Sequence, residues 1–205
     1  MRMPVLETER LIIRPFTMDD LDAIYQILDV ELKTADFGSQ VAKALGERRQ
    51  WLHWTTMGYQ ELAKLYQPPY GERAVILKQT GHLIGTCGFL PCLDAFGQLP
   101  SSSKNPTVRL NSTEFGLFYA FSPTHQRQGY ATEAVKAMID FAFKELKLKR
   151  IVATTRYDNA RSIRVMQRVG MLIEKNPYPD PPWFQVVGIL ENRMEGWPPA
   201  GPKPD

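Results

Sequence analysis

Apolar and polar positions alternate along much of this chain, and where the alternation changes period it marks the elements. Over residues 8–16, Leu11 and Ile13 fall on one side and Ile12 and Arg14 on the other, which predicts a strand. Thr17-Met18-Asp19-Asp20 then reads as a helix start, with Thr17 as N-cap and two acids in the first turn. Leu21, Ile24, Tyr25 and Leu28 continue it as an amphipathic stripe. Residues 40–66 read as largely helical, with Gly58 as a point of bending or division. Residues 73–79 and 82–90 form a predicted hairpin about Thr80-Gly81. The stretch 91–107 holds Pro91, Gly97, Pro100, Ser101-Ser102-Ser103 and Pro106, and is expected to be the most flexible loop. Strands follow at 112–121 and 149–156, with a helix at 159–169 that Gly170 stops. Residues 171–174 and 184–191 make a last strand pair. The sum is an α/β (α+β) domain in which helices cover a mixed, mostly antiparallel sheet. We expect this domain to occupy residues 1–196, and the proline-rich tail at 197–205 to be disordered.

Composition narrows the classes. The chain has 205 residues and is 43% hydrophobic, enough for one domain with a core of its own. Its 25 basic and 22 acidic residues leave a net charge of +3, with no basic stripe to suggest nucleic acid. Cys87 and Cys92 lie five residues apart within a strand and its exit, and read as reduced packing thiols. No Cys-His cluster has zinc spacing, so no metal is expected. No apolar run spans a bilayer and no signal-peptide core opens the chain, so a cytoplasmic protein without membrane attachment is the expectation.

The segment 123–134 carries the most chemistry. The apolar run from Phe115 to Phe121 stops at Ser122-Pro123, a short polar stretch follows, and Ala131, Ala134, Val135, Met138, Ala142 and Leu146 then repeat at helical spacing. That is strand, tight loop and helix N-terminus. Free N–H groups at such an end, with the helix dipole behind them, suit a phosphate. Gly129 has no Cβ, so an anion can approach the backbone there.

Gln126-x-x-Gly129-x-Ala131 resembles the Gln/Arg-x-x-Gly-x-Gly/Ala signature of the GNAT N-acetyltransferases. The string 128–134, Gln-Gly-Tyr-Ala-Thr-Glu-Ala, is similar to the branch that includes ribosomal-protein N-terminal acetyltransferases. Leu11-Ile12-Ile13-Arg14-Pro15-Phe16, Leu83-Ile84-Gly85-Thr86-Cys87-Gly88, and Asp158-Asn159-Ala160-Arg161-Ser162 with Gly170-Met171 resemble further elements of the family, in the right order. The resemblance implies a twisted sheet of about seven strands whose central strands splay apart. It implies acetyl-CoA as acetyl donor, held at Phe121, Gln126, Arg127, Gln128, Gly129, Tyr130 and Ala131, with Asn159 and Ser162 along its arm.

Acetyl transfer to an amine needs a proton acceptor, a hydrogen-bond donor for the oxyanion, and a proton for the departing thiolate. Glu114, on the 112–121 strand, is the expected base, and Ser162 the second catalytic candidate. The strand is two residues longer here than the family spacing, so Gly116 stands where the family's glutamate often does. Met166 stands where many members carry a tyrosine as acid, which leaves water or a substrate group as the expected donor. Trp51, Trp54 and Trp183 read either as core or as walls of an acceptor pocket. The expected activity is acetyl transfer to a primary amine, on a protein N-terminus or a small molecule, with room for a homodimer. Two alternatives stay open: an acyltransferase on a small metabolite, and a non-catalytic acyl-CoA-binding module.

Overall fold

Side-chain alternation along the strands sorts residues onto two sheet faces, and different helices cover each. The computed structural model describes residues 3–33, 43–68, 70–101 and 111–192. β1 (Leu6–Glu7), β2 (Leu11–Pro15), β3 (Gly71–Leu77), β4 (Leu83–Asp94), β5 (Ser112–Phe121), β6 (Arg150–Thr155), β7 (Leu172–Lys175) and β8 (Val186–Glu191) form one sheet, in the order β1-β2-β3-β4-β5-β6-β8-β7. All neighbouring pairs are antiparallel except β5 and β6, which run parallel. The two-residue β1 on the edge brings the count to eight where the resemblance implied about seven.

On one face α3 (Tyr130–Lys144) and α4 (Ala160–Arg168) pack on the sheet. Ala134, Val135, Met138 and Ala142 of α3 bury against Leu11, Val75 and Phe89. This is the apolar stripe read from the sequence, and its burial drives the docking. The other face carries two separate clusters. Phe16, Ile24, Leu28 and Leu52 pack on Ala74 and Ile76 at one end, and Phe96, Leu99 and Phe184 pack on Val152 and Val187 at the other. The open surface between these two clusters becomes a cleft.

The structure revises several local expectations. The stripe 21–28 is not one α-helix: α1 (Leu21–Tyr25) gives way to a π-helical turn, Gln26–Glu31. Gly58 neither bends nor divides α2 (Leu45–Lys64), because a Cβ there would meet nothing within 4 Å and the position is open surface. The flexible loop does not begin at Pro91. β4 runs on to Asp94, and a 3-10 turn at Phe96–Gln98 buries Phe96 and Leu99. Residues 102–107 of that loop, 40–42 of the helical segment and the tail at 197–205 lie outside the described residues.

One buried ion pair joins the helical layer. Arg48 of α2 and Asp29 of the π-helical turn have side chains 0% and 1% exposed, with Nε 2.7 Å from Oδ2. Nη2 donates to Oδ1 at 2.9 Å, and the Lys43 backbone N–H donates to the same oxygen at 2.8 Å. The guanidinium also lies 4.7 Å over the Trp51 ring. Two charges so deep hold only because each satisfies the other. Asp29→Ala should lower stability by about 3–5 kcal/mol, read as a lower urea midpoint at unchanged slope. The double variant Asp29→Leu/Arg48→Met should recover most of that loss.

Candidate active site

The site begins at a fault in the sheet. β5 and β6 share a single ladder pair, Gly116 with Val152. β5 continues to Phe121 and β6 to Thr155, and among the described residues no further pairing joins them. Ladder groups left open in this way need other partners.

Two clefts meet at the parting. One, of about 580 Å³, lies on the α2 side of the sheet, between the two clusters there; Leu28 and Trp51 line it from the helical layer, and Glu72, Asp94, Phe118 and Trp183 from the sheet and its loops. The other, of about 390 Å³, lies under the α3 N-terminus, between the 126–131 loop and α4. Tyr119, Asn159 and Ser162 line both. Their charges are opposite. The first is lined by Glu72 and Asp94 and, among the described residues, by no Lys, Arg or His. The second carries His125, Arg127, Arg161, Arg164 and Arg168 and, among the described residues, no carboxylate. Opposed fields of this kind sort ligands by charge.

Local chemistry shapes the cationic cleft. A 3-10 turn, Pro123–His125, ends β5. Arg127 (φ 61°) and Gly129 (φ 86°) both take left-handed backbone, and Gly129 N-caps α3. Gln126 Nε2 donates to the Phe121 carbonyl at 2.9 Å, and Arg161 donates to Gln126 Oε1 at 3.0 Å. Behind the loop, Glu133 in the first turn of α3 accepts from Thr8 Oγ1 at 2.6 Å and from the Arg10 backbone at 2.9 Å. Arg10 Nε donates to Glu133 Oε2 at 2.7 Å, and the same guanidinium stacks 4.5 Å over Tyr130 and donates to the Gln128 carbonyl at 3.0 Å. Burial pushes the Glu133 carboxyl up, but these hydrogen bonds outweigh it and hold it below the ordinary range. The brace is therefore present at neutral pH and is lost as pH falls through that depressed value.

At the junction, Asn159 N-caps α4. Its Oδ1 accepts from Ser162 N–H at 3.2 Å, and its Nδ2 donates to Thr155 Oγ1 at 2.9 Å. The Ser162 and Tyr119 hydroxyls lie 2.8 Å apart, and the phenol donates to the Ser162 carbonyl at 3.0 Å. Burial pushes the Tyr119 phenol up to about 12, so it stays protonated at neutral pH. Met166 is 1% exposed beside Gly188, where a Cβ would fall 3.0 Å from its sulfur, and it presents no donor.

Of the residues expected from the sequence, Phe121, Gln126, Arg127, Gly129, Tyr130, Ala131, Asn159 and Ser162 come together around the cationic cleft. Gln128 is adjacent but turned aside, its Nε2 donating to the Thr124 carbonyl at 2.9 Å. Glu114 stands apart from them, outside the lining of either cleft. It lies two residues before Gly116 on β5, where Arg150 Nε donates to its Oε2 at 3.0 Å and Nη2 holds its Oε1. The same ion pair holds the Arg150 guanidinium above its ordinary range. Two residues of the junction and the acidic cleft escaped the sequence reading. Tyr119 sits in an apolar row with Leu117 and Phe121, and Glu72 opens a strand that is otherwise apolar after Arg73. A polar tip in an apolar row was the available signal for each.

The profile of the acetyltransferase (GNAT) domain matches residues 10–172. The chain belongs to the GNAT acetyltransferase family. YoaA of Bacillus subtilis (strain 168), named an uncharacterized N-acetyltransferase, is 30% identical over 93% of this chain and 88% of its own. Among solved structures, the ribosomal-protein-S5-alanine acetyltransferase of Vibrio fischeri superposes with a TM-score of 0.67 at 19% identity, over 96% of this chain and 100% of that one. RimL, a ribosomal L7/L12 alpha-N-protein acetyltransferase solved with coenzyme A, gives 0.63 at 15% identity, over 91% and 96%. This GNAT protein is thus an acetyltransferase whose fold matches its relatives along nearly the whole chain. Among the described residues no group of three His, Cys, Asp or Glu could hold a metal ion, and no helix is long and apolar enough to cross a membrane. Both cysteines are free, and burial pushes Cys87 up to about 12 and Cys92 up to about 11.

Two substitutions separate the clefts. Gly129→Val places a branched side chain in left-handed backbone, with its Cβ 3.2 Å from Arg10 Nη2. Calorimetric titration should show coenzyme A affinity falling at least tenfold, about 1.4 kcal/mol. Glu114→Gln should leave turnover within about twofold of wild type, since its side chain is engaged by Arg150 outside both clefts.

Proposed function

We propose that this protein moves the acetyl group of acetyl-CoA onto the nitrogen of a primary amine by direct attack. The observation that carries the reading is the meeting of a cationic and an acidic cleft at the parting of β5 and β6. Coenzyme A brings phosphates, and the cationic cleft offers arginines and the N–H groups of a helix start, which suit them. Open ladder groups along β5 suit the amide-bearing arm of the donor. The RimL complex with coenzyme A, in a protein of the same fold, supports acetyl-CoA as that donor. The acidic cleft suits an acceptor that arrives as an ammonium ion. YoaA's name as an N-acetyltransferase supports nitrogen as the acceptor atom, and the ribosomal enzymes support a protein N-terminus beside a small-molecule amine.

The leaving thiolate needs a proton. Met166 supplies none, but the Tyr119–Ser162 hydroxyl pair stands where both clefts open. We assign the donor role to that pair. Gly129 and its neighbours position the phosphates, Asn159 holds the start of α4 in place, and proximity supplies much of the rate.

Labelled acetyl-CoA assayed against peptides beginning with Ala, Ser or Met, and against spermidine and phenethylamine, should yield an acetyl amide with at least one class. Coenzyme A binding with no transfer to any amine would instead mark a non-catalytic acyl-CoA-binding module. On the best acceptor, Tyr119→Phe should lower kcat at least tenfold, about 1.4 kcal/mol, with the KM for acetyl-CoA within about twofold.

A further inference from the structure

With Glu114 held by Arg150, the proton of the incoming amine needs another taker, and the acidic cleft supplies one. Glu72 lies on the β3 face that looks into this cleft and is 7% exposed. It stands in a cross-strand row with Gly88 and Phe118. Phe118 is the next residue on that face beyond Gly116, so the row crosses the sheet where β5 has left β6. Between Glu72 and Phe118 there is only a glycine. Two strand spacings, about 9–10 Å, then separate the carboxylate's strand from the parting. Gly88 is also required by packing, because a Cβ there would lie 2.3 Å from the Gly71 carbonyl oxygen and 2.7 Å from the Glu72 Cα. Asp94, the other acid of the cleft, is six residues farther along β4 than Gly88, roughly 20 Å, opposite Ser112 at the start of β5.

The titratable groups around Glu72 come from each packed element. Tyr59 on α2 donates to the Glu72 carbonyl at 2.5 Å. Cys92 and Asp94 on β4 and Tyr119 on β5 share the cleft. Arg73, the next residue on β3, turns to the opposite face, where its guanidinium lies 4.8 Å over Phe141.

We propose that Glu72 receives the acceptor's ammonium group and removes its proton, a role that rests on the N-acetyltransferase reading above. The ammonium gives one proton to the Glu72 carboxylate. The freed nitrogen lone pair forms the C–N bond at the thioester carbonyl, the C–S bond breaks, and the sulfur keeps its electron pair. The Tyr119–Ser162 hydroxyl pair gives a proton to that sulfur and is recharged by the second nitrogen proton, and the third stays on the amide. Glu72 returns its proton to solvent as the product departs.

The test compares wild type, Glu72→Gln and Glu72→Asp on peptides beginning with Ala, Ser or Met, on spermidine and on phenethylamine. Glu72→Gln should lower kcat/KM on the best of these about a hundredfold or more, with coenzyme A affinity within twofold. Its kcat/KM should climb with pH up to the amine's own pKa, because only free amine can react, while wild type levels off earlier. Glu72→Asp, which keeps a carboxylate, should retain the early plateau at reduced rate, and carries the test if the amide variant fails to fold. Wild-type rates in either variant, or a Glu72→Gln pH profile parallel to wild type, would overturn the assignment while leaving the enzyme reading intact. A wild-type protein that acetylates none of the amines would overturn both.

Discussion

The structure depends on a parallel strand pair that closes once and then opens. β5 is bound along its whole length to β4 on one side, while on the other it meets β6 only at Gly116–Val152. The β6–β8–β7 half of the sheet is therefore tied to the rest chiefly by what packs over the break. On one face that is α3 and α4, whose buried side chains share a core with β2, β3 and β4. On the other it is the cluster of Phe96, Leu99 and Phe184, with its edge-to-face ring pair 5.0 Å between centroids. Gly116 marks the hinge of the opening, where a Cβ would already press to 3.2 Å from the Cys92 sulfur. Every element of the candidate site takes its position from this break.

Electrostatics then divides the break into two rooms. Helix starts and arginines gather under α3 and α4, while the opposite side keeps Glu72 and Asp94. The division is held by bonds outside either room. The Glu133–Arg10 brace fixes the loop from behind, and Asp29–Arg48 fixes the helical layer that carries Leu28 and Trp51. Ser122, at the end of β5, donates to Glu31 at 2.5 Å and so connects the two supports. None of these pairs lines the two rooms that they frame, apart from the walls they set.

Much of this was legible in the sequence, because it rests on local signals. The alternation at 112–121, the helical repeat from Ala131 and the Gln126-x-x-Gly129-x-Ala131 loop each specify a shape from neighbouring residues alone. Gly129 was found because only its backbone type fits the turn. What the sequence did not show needed partners distant in sequence. The ion pair of Glu114 with Arg150 joins residues 36 apart, on neighbouring strands. Glu72 lay outside the predicted strand 73–79, and the sheet places it in line with Phe118. Tyr119 sits among apolar neighbours on its strand, and only the third dimension brings its hydroxyl to Ser162. The π-helical turn at Gln26–Glu31 has no period of its own in a six-residue window, so the amphipathic stripe concealed it.

The acidic room also bears on how a cycle ends. In the proposed reaction the guest enters with a positive charge and leaves without one. The carboxylates that drew it in have no such hold on an amide, whose nitrogen no longer accepts a proton at neutral pH. Arrival is thus favoured over lingering, and a finished molecule competes poorly with the next substrate. Coenzyme A, by contrast, keeps its phosphates through the whole reaction and stays attracted to the arginine-lined room. Such a machine should clear its acetylated product easily and be restrained mainly by its spent carrier.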